Sequence, residues 1–197
     1  MKTRFITAIC LFTIGFCKAQ TVYDLTDSKP DLGTYNYYMK DINNVLDPFV
    51  GTWVYTDGGN TITMTLKKKI KVKTSIRLVF QDFLYGEYRF EQNGVVVLDY
   101  MSQLDDPNIT NIYRHNVHGN HIPYHSIFDN DPNLTGDVID IIMLEPNVCS
   151  KLYMYKTTIN GVDALRVYKA TLPDMKEKGA PEYDSVMPIE YMTFIKQ

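Results

Sequence analysis

Beyond Phe49 the chain alternates apolar and polar residues with a period of two. "GTWVYT" leads into the turn "DGGN" and then "TITMTLKKK", where Ile62, Met64 and Leu66 alternate with Thr61, Thr63 and Thr65. Successive side chains of a strand point to opposite faces, so this pattern predicts a half-buried strand. The Asp-Gly-Gly turn predicts a hairpin, because glycine supplies the positive φ of tight turns. "KIKVK" extends the alternation and places Ile70 and Val72 inward with the lysines outward. "SIRLVF" reads as strand or short helix. "LYGEYRFE", the turn "QNG" and "VVVLDY" form a second hairpin, with Tyr88 and Phe90 on one face and Glu87, Arg89 and Glu91 on the other. Residues 101–136 break the rhythm. "VIDIIML", "KLYMYKT", the turn "INGVD", "ALRVYKA" and "PIEYMTFIK" then supply the remaining strands. No 3.6-residue period is sustained for three turns. About nine or ten strands joined by short turns predict one all-β domain, an antiparallel barrel or sandwich whose interior is packed or holds a small cavity.

The first 48 residues read differently. Lys2 and Arg4, the apolar run Phe5 to Phe16, and small residues at Cys17 and Ala19 match a secretory signal peptide over residues 1–19. Residues 20–48 read as a flexible leader and a short cap. "YYMKDINNVLDPF" predicts a helical turn over the end of the barrel, anchored by Leu46 and Phe49. The barrel domain spans 49–197. Loss of Lys2, Arg4 and Lys18 with the leader takes the formal charge from −3 to −6. Such an acidic protein repels phosphate backbones, which argues against nucleic acid as a partner. Cys10 and Cys17 leave with the leader, so Cys149 remains without a disulfide partner. No later segment reaches the length of a membrane-spanning helix. The chain is expected to be exported through the inner membrane, to a periplasmic or extracellular destination.

Two resemblances sit on "DPFVGTWVY". The Gly51-Thr52-Trp53 triplet on a first strand resembles the Gly-x-Trp start of lipocalin-type barrels. That resemblance implies a tryptophan packed across the barrel base and a glycine where the chain bends. Over a longer span, "YYMKDINNVLDPFVGTWVYTDGG", "LKKK", "LYGEYRFEQNGVVV" and the terminal "MTFIK" resemble a secreted Bacteroidota family known as a domain of unknown function. This implies export and a β-rich fold, and carries neither an activity nor functional residues.

All four histidines fall in "RHNVHGNHIPYH". On an extended strand His115, His121 and His125 share a face, yet residues six apart lie about 20 Å from each other. They converge on a metal only if the chain folds back at Gly119-Asn120. Gly119 and Pro123 argue against a helix. The preferred reading is a solvated loop with incidental histidines, and no metal or cofactor is expected. "DNDPNLTGD" lacks the Gly and Glu that an EF-hand loop needs and reads as a turn. Cys149 has no local nucleophile signature, and no hydrolase or phosphate-loop motif occurs, so an enzyme is not expected. Lys67, Lys68, Lys69, Lys71 and Lys73 read as a solvated or edge strand, with membrane or anionic-polymer contact as the alternative. The function expected is a lipocalin-like module that binds an apolar or amphipathic small molecule. The rival is an envelope structural or interaction domain with a filled barrel and no ligand.

Overall fold

The computed structural model describes residues 20–27, 36–74, 79–123, 127–128, 131–132, 134, 136–146, 148–171, 187 and 191–197. The predicted signal peptide, residues 75–78 of "SIRLVF", residues 129, 130, 133 and 135 of "DNDPNLTGD", and most of the segment before the last strand lie outside them. The described residues form eleven strands: β1 (Thr21–Asp24), β2 (Tyr37–Lys40), β3 (Gly51–Asp57), β4 (Asn60–Lys73), β5 (Phe80–Gln92), β6 (Val95–Asp99), β7 (Val117–His121), β8 (Val138–Glu145), β9 (Val148–Ile159), β10 (Val162–Thr171) and β11 (Tyr191–Lys196).

Eight of these close into an antiparallel barrel in the order β3-β4-β5-β7-β8-β9-β10-β11, with β11 returning to β3. The expected all-β, lipocalin-like barrel is therefore present. Three hairpins turn on paired residues with positive φ: Gly58-Gly59 (53° and 85°) and Asn160-Gly161 (51° and 79°) within the barrel, and Asn93-Gly94 (52° and 76°) between β5 and β6. Those are mirror-image turns, whose twist matches that of the flanking strands. The two seams that close the ring are thin, and β7 also meets β8 through only three residue pairs. β5 meets β7 through Leu84↔Gly119, Tyr85↔His118 and Gly86↔Val117, and β11 meets β3 through Ile195↔Val54 and Lys196↔Trp53. Gly119 is required at the first seam, since a Cβ there would come within 2.8 Å of the Ile141 Cα at φ +158°.

The long strand β5 shares its second edge among three partners. β2 runs parallel to its start at Tyr38↔Phe80, β7 takes its middle, and β6 pairs antiparallel with its end. The N-terminal part thus departs from the expected leader and cap. β1 pairs parallel with β2, and Tyr37, Tyr38 and Met39 are buried. "YYMK" is strand rather than helical turn, because the Tyr38 hydroxyl and the Asp41 amide both bind the buried Asp82 carboxylate, at 2.6 and 2.9 Å. A single 3-10 turn, Asp47–Phe49, follows, and the predicted anchors Leu46 and Phe49 are buried.

A second departure lies in β4. The register against β5 shifts between Lys69 and Val72, and Lys71 adopts φ +53° with its N–H on Asp82 Oδ1 at 2.8 Å. One extra residue reverses the alternation. Ile70, expected inward, is 69% exposed.

Candidate functional site

The barrel interior is occupied by its own side chains. Trp53, Ile62, Met64, Leu66, Leu84, Tyr88, Leu152, Met154 and Leu165 belong to one buried cluster, and Trp53 is 0% exposed. The Trp53 indole N–H donates to the Phe49 carbonyl at 2.8 Å, so the 3-10 turn seals the end where β3 begins and β11 finishes. Gly51 stands at φ +138°, and a Cβ there would meet Lys196 Cε at 3.0 Å. Glycine is needed at this bend both for its backbone conformation and for the lysine's approach.

The opposite end is polar. The inward face of β8 carries Ile139, Ile141 and Met143 and then Glu145, while that of β10 carries Leu165 and Val167 and then Lys169. Glu145 and Lys169 form a buried ion pair, with Lys169 0% exposed. Burial pulls the Lys169 ammonium below its ordinary pKa, opposed by the bond and charge of Glu145. The Met187 N–H donates to Glu145 Oε2 at 3.3 Å, and its carbonyl accepts from Lys169 at 3.5 Å. Ser150 Oγ is buried beside this group on β9 without a hydrogen-bond partner among the described residues.

The outer faces of β4 and β5 carry the second polar site, under residues 100–116. Glu87 lies on the face that alternation assigns to solvent, yet it is fully buried. It accepts from His115 Nδ1 at 2.9 Å, from the Asn116 side-chain amide at 2.8 Å and from the Asn116 backbone N–H at 3.3 Å. The 3-10 turn Ile112–Arg114 delivers His115, and the Asn111 side chain caps it by accepting from the Tyr113 N–H at 3.1 Å. The Tyr85 ring packs on the imidazole at 4.6 Å between centroids. Glu87 fixes the ring with Nδ1 as donor and leaves Nε2 without a described hydrogen-bond partner. His115 lines a cleft of about 310 Å³ with Lys69, Tyr85, Asp105 and Thr110. Adjoining it is a cleft of about 660 Å³ between Lys69–Thr74 and Thr110–Tyr113.

The expected solvated histidine loop is corrected by this geometry. His115 and His118 are buried, and His118 lies on strand β7, where its Nδ1 donates to the His115 carbonyl at 2.9 Å. Burial drives the His118 pKa below its ordinary value. His121, with an exposed side chain, binds Asp140 at 2.9 Å, and Lys151 shares that carboxylate at 3.2 Å. His125 lies outside the described residues. The metal candidates His115 and His121 are thus held by different carboxylates. Among the described residues no three His, Cys, Asp or Glu side chains gather as a metal site. The imidazoles of His115 and His118 join the β7 region to its neighbours, because a buried Nδ1–H needs an acceptor and each finds one close in the fold. Cys149 lies on β9 opposite Leu144, and burial raises its thiol pKa, which weakens it as a nucleophile. Sequence reasoning missed Glu87, Glu145 and Lys169. The last two follow the parity of the apolar residues before them, which was a usable signal.

Among the described residues no helix is long and apolar enough to cross a membrane. No curated protein and no solved structure matches the chain. One family model covers it from residue 1 to residue 197, described as a family of unknown function (DUF6705), and the chain belongs to that family.

Proposed function

We propose that this protein is a non-catalytic, exported recognition module that uses its barrel as a packed scaffold and binds partners through its outer surface. The observation that carries the reading is the filled interior. Trp53, Ile62, Met64 and Leu66 are each no more than 1% exposed and belong to one cluster. Close-packed interiors leave no room for a guest without displacing side chains. Two clefts lie instead on the outside, over β4 and β5. Export rests on the leader pattern at residues 1–19, and the envelope is the setting that leader implies. The thiol of Cys149 supports binding over catalysis, since burial raises its pKa and weakens it as a nucleophile.

One observation favours the carrier reading instead. The hydroxyl of Ser150 is buried without a partner beside a Met-rich interior containing Met143, Met154, Met187 and Met192. Methionine repacks readily, and an amphipathic guest would satisfy the hydroxyl. Native mass spectrometry of the full chain purified from its host decides between them. The surface module gives the mass of the processed polypeptide alone. A stoichiometric apolar adduct, released on unfolding, would make the protein a small-molecule carrier.

A further inference from the structure

The chain is acidic, with a formal charge of −3, yet one cleft is lined by cations and by no carboxylate. Lys69, Lys71 and Lys73 border it, and among the described residues none of them makes an ion pair. Their neighbours in β4 behave differently. Lys67 is bound to Asp105 at 2.6 Å, and Lys68 is bound to Asp41 at 2.8 Å and Asp47 at 2.6 Å. Of this five-lysine stretch, the two toward the middle of the barrel are neutralised and the three at the cleft are left uncompensated.

The bulge creates this arrangement. Holding Lys71 at φ +53°, with its N–H on Asp82, turns Ile70 out of the barrel, where Lys69 and Lys71 flank it in the chain. The Lys71 ammonium stands 5.6 Å from the Phe80 ring centroid and 5.7 Å from that of Tyr38. Tyr113, 43% exposed, stands on the facing wall, and Arg114 beside it is exposed. A solvated isoleucine flanked by lysines, facing a tyrosine, combines an apolar wedge, fixed positive charge and an amphipathic ring.

We infer that this face docks on an anionic lipid surface: Lys69, Lys71 and Lys73 meet headgroup phosphates, while Ile70 and Tyr113 enter the interfacial layer. The inference rests on the surface-module reading and names its partner. The apolar elements favour a membrane over a soluble polyanion, which would be recognised by charge alone. Lysines near an anionic membrane each contribute about 1 kcal/mol, equivalent to about a fivefold change in partition. Tyrosine belongs at such interfaces because it offers an apolar body and a polar tip.

The test is vesicle flotation of the full chain. Vesicles of phosphatidylcholine alone are compared with vesicles containing phosphatidylglycerol, at low and at high salt. Binding should require phosphatidylglycerol and should weaken with salt. Lys69→Gln with Lys73→Gln should lower the partition about 25-fold, from two such fivefold factors. Lys151→Gln with Lys156→Gln removes equal charge elsewhere and should change it less than threefold. Ile70→Ser should weaken vesicle binding while leaving retention on heparin unchanged. Unchanged circular dichroism and melting of each variant separate docking from folding. No binding to phosphatidylglycerol vesicles, or equal losses in both lysine pairs, would overturn the inference. Retention on heparin with no vesicle binding would also overturn it, in favour of a soluble polyanion. A negative vesicle result together with an adduct-free native mass leaves the surface-module reading standing, so the two failures are distinguishable.

Discussion

Glu87→Gln should open the barrel at the β5–β7 seam. That seam has three backbone residue pairs, and the Glu87 carboxylate extends it by holding His115 and Asn116 through three N–H donors. A glutamine has one carbonyl oxygen, which accepts two of the three bonds at neutral rather than charge-assisted strength. The third donor then faces an NH2 group. Leaving a buried donor unsatisfied costs about 1–3 kcal/mol, and each weakened bond costs roughly 1 kcal/mol more. The sum is about 3–5 kcal/mol, a third or so of a typical domain's roughly 5–15 kcal/mol. The measurement is urea unfolding followed by Trp53 fluorescence, together with amide hydrogen exchange resolved by peptide. Exchange should accelerate at residues 84–86 and 117–119 before it does in β9 and β10, which share ten residue pairs. A loss of less than 1 kcal/mol, or equal acceleration throughout the barrel, would refute the account of Glu87 as the lock on the seam.

Trp53→Ala should cost about 3–5 kcal/mol through its cavity and the orphaned Phe49 carbonyl, measured as a shift in the urea midpoint by circular dichroism. In the native protein the single indole should emit in the blue and resist iodide quenching. Lys169→Met should destabilise by about 3–5 kcal/mol, since it strands the Glu145 carboxylate in the interior, whereas replacing both members by apolar residues should recover most of that loss in the same unfolding assay. At acid pH the sign follows from the lowered His118 pKa: its contribution is complete above the ordinary histidine pKa and is lost as pH falls toward the depressed folded value. The urea midpoint should therefore drop between pH 7 and pH 5, and His118→Asn should flatten that drop. At alkaline pH the raised tyrosines reverse the sense. Burial and the Asp131 bond push Tyr155 up to about 12, and burial and Asp82 raise Tyr38. Their contribution is complete below pH 10 and lost above it, so tyrosinate absorbance of these rings should appear only as the fold melts.

The strands were legible wherever one face is apolar and the other polar, as at Ile62, Met64 and Leu66. The hairpins were legible because Asn-Gly and Gly-Gly carry their own geometry. Ile70 was misplaced because a bulge is not written in the alternation it interrupts. The reason for it, an amide held by Asp82, lies eleven residues away. β2 was hidden by polar flanking sequence, since what makes "YYMK" a strand is the edge of β5 and not its own period. Glu87 and His115 were illegible for the same kind of cause. Each reads as solvated, and only the crossing of residues 100–116 over β5 buries them together.

The two thin seams divide the barrel into two meanders, β3 to β6 and β7 to β11. Within each, most neighbours are joined by short turns, and their contacts form locally. Between them, pairing requires residues as distant as Val54 and Ile195. Closing such long loops costs chain entropy before any contact compensates it, which makes closure the late, slow step of folding. Before closure each half exposes raw strand edges, and the edge of a second copy offers the same hydrogen bonds as the intramolecular partner. At high concentration, exchange of halves between chains competes directly with the native ring, and seam variants such as Glu87→Gln shift that competition toward interlocked dimers.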